Sequence, residues 1–415
     1  MKFEVGFGKA TQTVEIPENR ILQVLHANPV QSGPQGEAAV RQALLHPIGT
    51  PRLRDIVKPH EKIVIVTSDI TRPMPTAQVM PALLEELDAA GAAPEDITLV
   101  FARGSHRAHT EDEMRKLAGE DAYRRIRCID SDPEDCLHLG TTKLGTPVDI
   151  MRIVAEADRR ICLGNIEYHY FAGYSGGAKA IMPGTSTPAA IQVNHAHMTE
   201  AKAHAGNLED NPIRKDLEEA TAICGIDFIV NVVLDEHKNI VHAVAGDWIQ
   251  AHREGCSFLD SMYQVEIPQR ADIVIASQGG APKDLNLYQT QKALDNAKHA
   301  VKDGGTIILV GSCKEGLGQK TFEEWMQAAA QPQDLIRRIE SDFQLGGHKA
   351  AAIAMVLEKA KIKLVSDMDA SLVRSIFLQP YHNLQQAYDD AAAEHGNSAT
   401  VIIMPYGGST LPKVR

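Results

Sequence analysis

The sequence predicts an α/β protein, built as two α/β domains whose mostly parallel sheets are flanked by helices, and three observations carry that expectation. Short runs rich in Val and Ile alternate along the chain with helical patterns. Those runs are almost continuously apolar, as parallel strands buried on both faces must be. Polar side chains collect where the runs end, which is where open α/β sheets hold their ligands.

Taken in order, the expected strands are IVIVTSD (63–69), ITLVFARG (97–104), RRICLGNI (159–166), FIVNVVLD (228–235), DIVIASQGG (272–280), TIILVGS (306–312), IKLVSDM (362–368) and TVIIMPYGG (400–408). Amphipathic helices are expected at 76–90, 212–224, 283–302, 322–340 and 384–395. A proline and several charges in VEIPQRAD (265–272) interrupt the pattern before a fresh series of strands and helices begins. That break predicts a larger domain over 1–268, a smaller one over 269–398, and a closing strand or tail at 399–415 that returns to the hinge or the first domain. The active site is expected in the cleft between the domains, with the cofactor site carried by the first.

The chain has 415 residues and a formal net charge of -12, without a basic tract, which argues against nucleic acid as a partner. No run reaches membrane-spanning length, and MKFEVGFGKATQTVEI has neither the apolar core nor the cleavage site of a signal peptide. A cytoplasmic protein with no membrane partner is therefore expected. The six cysteines show no CxxC or CxxxC spacing and are read as ordinary buried thiols.

The first strand runs into SDITRPMP, so Asp69, Thr71 and Arg72 stand at its exit, while Pro73 delays the next helix. Asp69 could instead belong to a buried helix cap; the guanidinium fork of Arg72 suits a carboxylate or phosphate. The second strand ends in ARGSHRAHT, offering Arg103, His106, Arg107 and His109. Thr110 and Glu113 form a capping-box pattern, which makes His109 a surface or flanking residue and leaves His106 as the better site candidate. The densest segment is GNIEYHYFAGYSGGAKAIMPG (164–184), with His169, then Gly173, Gly176 and Gly177, then Lys179. The glycines let the backbone approach a phosphate or a flat ring closely. A Walker loop needs Gly before the lysine and Ser or Thr after it, whereas Ala178 and Ala180 stand here; Lys179 is read as a point charge or a nucleophilic amine.

In QVNHAHMTE, His195 and His197 are two apart and point in different directions on a helix. His-x-His could bind zinc elsewhere, but no HExxH and no nearby carboxylate third ligand accompany it. Further on, SQGGAPKDLNLYQTQKALDNA predicts a strand, a double glycine and a helix presenting Tyr288, Gln289 and Lys292 on one face. Tyr288 could equally be a core aromatic, and Lys292, on an otherwise apolar face, is the stronger functional candidate.

As a set, SDxTRP, GSHR, HYFAGYSGGAKAIMPG, the Asn-His pair ending at His195, and GGAPKDLNLYQ with Lys292 resemble the nickel-dependent lactate racemase family. The motifs run in matching order from Ser68 to Lys292, and the last hundred residues resemble the family through VSDM and the MPYGG ending. The resemblance implies a nickel-pincer nucleotide, a pyridinium bisthiocarboxylic acid mononucleotide whose sulfur arms and ring carbon hold nickel. Lys179 matches the lysine that tethers it and His195 the protein's nickel ligand, an imidazole suited to square-planar nickel. His106 and His169 match the acid/base pair that serves hydride transfer from substrate C2. Arg72 and Lys292 match residues near the substrate carboxylate, with Tyr288 and Gln289 in support, and Asp69, Thr71, Gly176 and Gly177 match the surroundings of the nucleotide. The substrate implied is a small 2-hydroxy acid, and sulfur-insertion and nickel-insertion proteins are implied as partners.

Two departures bear on substrate. Arg103 stands where lactate racemases carry a neutral residue, and GGHK (346–349) where some place an aromatic. An added cation near His106 favours a malate-like or sugar-acid substrate beside a lactate-like one; alternatively Arg103 pairs with an acid such as Glu167. Three other readings stand beside a racemase: a zinc-dependent hydrolase using His106, His169 or His195 as ligands, a non-catalytic nickel or nucleotide carrier, and a nicotinamide dehydrogenase, against which the lack of GxGxxG after the first strand counts.

Overall fold

The computed structural model describes residues 1–29, 33–104 and 106–415. By contact the chain forms two compact units, one of Val30–Ser261 and one of Met1–Pro29 with Met262–Arg415.

In the first unit a six-stranded sheet runs in the order Ile240–Gly246, Phe228–Leu234, Arg159–Ile166, Ile63–Ser68, Ile97–Ala102, Arg127–Asp130. All neighbours are parallel except the pair formed by Phe228–Leu234 and Ile240–Gly246. Ile63, Ile65, Leu99, Phe101, Phe228 and Val230 meet Val79, Leu83 and Leu87 of the helix Thr76–Ala89 in one buried core. Each such side chain, fully buried, is worth about 1.5–3 kcal/mol. The register pairs Ser68 with Ala102 and Val66 with Cys162, so three neighbouring strands deliver Asp69, Arg103 and Glu167 to one edge of the sheet.

The second unit holds an all-parallel six-stranded sheet in the order Gln379–Tyr381, Lys361–Val365, Val301–Val310, Ala271–Ser277, Val401–Met404, Ile21–Val24. The hairpin of Lys2–Phe7 and Ala10–Glu15 sends Val5 and Val14 into its core beside Ile275, Ile308 and Ile403. The first 29 residues therefore group with the carboxyl-terminal unit and not within a 1–268 domain, because the edge strand Ile21–Val24 pairs with Val401–Met404. Leu411–Val414 pairs with Gln264–Ile267, at the expected boundary.

The helix expected at 322–340 is two, Lys320–Ala328 and Pro332–Ser341. Pro332 forces Gln331 out of the helical region, to φ -151 and ψ 157. The helix expected at 283–302 is shorter, Leu287–Ala297, started by the Asn286 side chain accepting the Gln289 amide. Among the described residues no helix is long and apolar enough to cross a membrane.

Candidate functional site

Asp69 leaves the strand Ile63–Ser68 as a buried carboxylate. His106 Nδ1 lies 2.7 Å from its Oδ2, and the Thr71 hydroxyl, 2.9 Å from both oxygens, donates to it. Burial works to raise the Asp69 carboxyl, but the His106 hydrogen bond and charge, with Arg72 and Thr71, outweigh it and hold the group below its ordinary 3.8. A carboxylate only accepts, so His106 donates from Nδ1, and in the neutral ring its Nε2 carries the lone pair. Asp69 thus orients a histidine and caps no helix. Arg72, exposed, reaches Thr71 Oγ1 at 3.5 Å.

Arg103 makes no pair with Glu167. Its Nε donates to Ser131 O at 2.7 Å and its Nη1 to His106 O at 3.3 Å, so the guanidinium braces the turn that carries His106. The capping box of Thr110 and Glu113 is present. His109, expected as a surface or flanking residue, flanks the helix Glu111–Ala118, with its side chain only 1% exposed: Nδ1 meets Asp130 Oδ1 at 2.5 Å and Nε2 accepts the Ile70 amide at 3.0 Å. It ties the exits of two strands to Asp130, a residue that no local pattern marks as its partner.

Beyond the strand Arg159–Ile166, Tyr168–His169 pairs antiparallel with Gly173–Tyr174. Two groups distant in sequence clamp this loop. Asp260 accepts from the Tyr168 and Tyr174 hydroxyls at 2.7 and 2.8 Å, and the fully buried Arg214 donates to the carbonyls of Ala172, at 3.1 Å, and Tyr174. The Ala172 amide donates to His169 Nδ1 at 3.3 Å, which puts the proton of the neutral ring on Nε2. Burial first, then the charges of Lys179, Arg72, His195 and Arg214, hold His169 well below 6.5, so the ring is neutral. His106 and His169 accordingly present opposite tautomers.

Lys179 sits on the 3-10 turn Gly177–Ala180 and its Nζ hydrogen-bonds to no described residue. The Nζ stands 5.7 Å from the centroid of the Phe171 ring. Burial, with the charges of Arg214 and Arg72, lowers its pKa well below 10.5 against a weaker pull from Glu167. The result is an amine with nucleophilic character. The same Phe171 ring lies 4.4 Å from the ring of His169 and 4.9 Å from that of His195, so one aromatic gathers all three candidates.

The glycines also have a part within the fold. The Gly177 amide donates to Asn231 Oδ1 at 2.8 Å and is not available to an anion. A Cβ on Gly177, at φ +56, would stand 2.9 Å from the His252 ring, and one on Gly176, at φ +74, 2.7 Å from Asn231 Oδ1. They let the loop close onto Asn231 and His252 and so fix where Lys179 begins.

His195 is buried near the end of the helix Pro188–Ala196, its Nδ1 2.8 Å from Asn194 Oδ1; His197 turns away to Glu200, as the spacing requires. Among the described residues no three His, Cys, Asp or Glu side chains converge as metal ligands.

In the second unit Tyr288, Gln289 and Lys292 share the helix Leu287–Ala297. Lys292 is exposed and, against expectation, lies off the buried face of the helix, which includes Leu287, Thr290, Gln291 and Leu294. Lys349, buried in the helix Gly347–Leu357, donates to Tyr288 O at 2.5 Å and stands 3.9 Å from the centroid of the Tyr288 ring. His348 is buried beside it with its ring 6.5 Å from that of Tyr288. Arg214, Asp260, Phe171, Asn194 and Lys349 were not singled out by the sequence, although Phe171, Asn194 and Lys349 lie within segments that were.

Residues 7–206 match the model of the lactate racemase N-terminal domain, and 267–411 that of the lactate racemase C-terminal domain. The lactate racemase of Thermoanaerobacterium thermosaccharolyticum is 34% identical over 420 residues, covering 98% of each chain. The chain belongs to the lactate racemase family. A second member, the lactate racemase of Lactiplantibacillus plantarum, is 33% identical over 388 residues and 91% of each chain. The structure of the Thermoanaerobacterium thermosaccharolyticum lactate racemase apoprotein superposes with a TM-score of 0.89 at 33% identity, over 100% of both chains. A crystal structure of a Thermotoga maritima protein, 18% identical with a TM-score of 0.62, shares the fold alone. Lactate racemases are isomerases, and this family member is an enzyme of that class.

Proposed function

We propose that this lactate racemase family member interconverts the C2 configurations of a small 2-hydroxy acid, with His106 and His169 as opposed general acid and base. The observation that carries the reading is their opposite tautomers: His106 donates Nδ1–H to Asp69, and His169 accepts at Nδ1 from the Ala172 amide. Two enantiomers present their hydroxyls to opposite sides, so a racemase needs a proton acceptor on one side and a proton donor on the other. In one direction His106 takes the hydroxyl proton at Nε2 and His169 gives its Nε2 proton to the carbonyl oxygen as the product forms. The reverse direction exchanges the roles.

The residues present suit the nickel-pincer nucleotide. Lys179 is an unpartnered amine suited to a thioamide tether, and His195 offers one imidazole to a metal whose other donors come with the cofactor. When bound, that group supplies reversible hydride acceptance at substrate C2. A zinc hydrolase is less well supported, since it needs three protein ligands together and the described residues bring none. Arg72, exposed, is suited to carboxylate recognition, Lys292, Tyr288 and Gln289 keep the substrate roles that the resemblance implies, and Asp69 and Thr71 serve the nucleotide as well as His106. Arg103 holds the His106 turn through two backbone carbonyls, and its remaining N–H groups are left for a second carboxylate or a polyhydroxylated tail.

The test uses the chain co-produced with sulfur-insertion and nickel-insertion proteins and offered single enantiomers of lactate, malate and aldonates. Racemisation without solvent deuterium at C2 is expected, with His106→Ala and His169→Ala each lowering kcat by about 10²–10⁴. Racemisation surviving in the double variant, or deuterium washing into C2, sinks the mechanism.

A further inference from the structure

We infer that Asp216, acting through Asn194, is a positioning residue that fixes His195 with its proton on Nδ1 and the lone pair of the neutral ring on Nε2. The inference rests on the reading of His195 as the metal ligand and adds a residue to it.

The donors follow one another without freedom. Asp216 is buried on the helix Pro212–Cys224 and receives the Thr146 hydroxyl at 2.6 Å as well as the Thr142 hydroxyl. Thr142 Oγ1 itself accepts the Thr146 amide at 3.1 Å, so its proton is left to point at Asp216. The third donor to the carboxylate is Asn194 Nδ2, 2.7 Å from Oδ2, and the same nitrogen lies 3.3 Å from the Ile213 carbonyl. Both of those partners only accept, which settles the orientation of the Asn194 amide. Its oxygen therefore faces His195 Nδ1, at 2.8 Å, and an amide oxygen there requires Nδ1 to carry the hydrogen.

Asn194 is 0% exposed and Asp216 1%, so water does not compete for these bonds. An imidazole that binds a metal through one nitrogen is held by what the other nitrogen donates to, and losing such a partner costs about 10–100-fold in metal affinity. The helix Pro188–Ala196 supplies both Asn194 and His195, yet the anchor comes from a different helix. Nothing in the short segment around His195 marks Asp216.

The test reads the tautomer and the metal separately. In the full-length chain without cofactor, histidine ¹⁵N–¹H correlation spectra, assigned by His195→Gln, are expected to show Nδ1–H for His195. In Asp216→Asn and Asn194→Ala, checked for folding by circular dichroism, that preference is expected to be lost. In the chain loaded with the cofactor, both variants are expected to release nickel to a chelator about 10–100-fold more readily. An Nε2–H tautomer in the wild-type chain, or an unchanged tautomer and nickel release in folded variants, overturns the proposal. The wild-type tautomer decides the matter even if neither variant folds. Nickel coordination unaltered in His195→Ala, by X-ray absorption, would instead remove the ligand reading while the tautomer result still judged Asp216.

Discussion

Lys179 concentrates the chemistry of the site in one atom. A half-buried amine facing the charges of Arg214 and Arg72, with only a weaker pull from Glu167, is costly when charged, and the protein carries that cost in a loop clamped by Arg214 and Asp260. Replacing it with an apolar side chain of similar length should stabilise the chain without cofactor: Lys179→Met is expected to gain about 1–2 kcal/mol in thermal unfolding. The sign with pH is fixed. A lysine whose folded pKa is lowered costs most where both states are protonated, and the cost fades as pH rises toward 10.5. The gain should thus be larger near about pH 6 than near about pH 9, and a destabilised variant would contradict the account. His169 and Lys179 were legible because one short segment holds both, between apolar flanks. The partner of His109 and the whole of Asp216 went unseen for a common reason: Asp130 for the first and Asn194 for the second are distant in sequence, and spacing does not report such contacts.

Strands and their exits were the most legible elements, because burial on both faces leaves a run of Val and Ile that few other structures need. Helix limits were less so, since they turn on single capping residues: Asn286 and Pro332 each move a boundary that the apolar pattern alone does not set. Ends of strands also carry stability. Asp272, at the start of Ala271–Ser277, accepts from the Thr400 amide at 2.9 Å and hydroxyl at 2.7 Å and pairs with Lys302 at 2.8 Å, joining three strands. Burial acts to raise its carboxyl, but Lys302 and Thr400 prevail and bring it down to about 2. A depressed carboxyl stabilises the fold above its ordinary pKa of 3.8 and loses that contribution as pH falls toward about 2. Asp272→Asn should therefore cost about 1–3 kcal/mol at neutral pH, with the gap to wild type closing between about pH 4 and about pH 2. A difference independent of pH in urea titrations would assign the role to the hydrogen bonds alone.

At the scale of the whole chain, the alternation of strands and helices gave the fold class, and the quoted motifs led to the family that the relatives establish. The part the pattern concealed is the placement of Met1–Pro29 with Met262–Arg415, since a four-residue edge strand, Ile21–Val24, announces no pairing with a strand nearly four hundred residues later. The central claim is that this chain works with a nickel-bearing nucleotide fixed at Lys179 and touched by His195. Its most direct test is the intact mass of the chain co-produced with the sulfur-insertion and nickel-insertion proteins, with metal analysis and proteolytic mapping. An adduct on Lys179 with about one nickel per chain is the predicted result. A chain of unmodified mass that holds zinc and no nickel would contradict it.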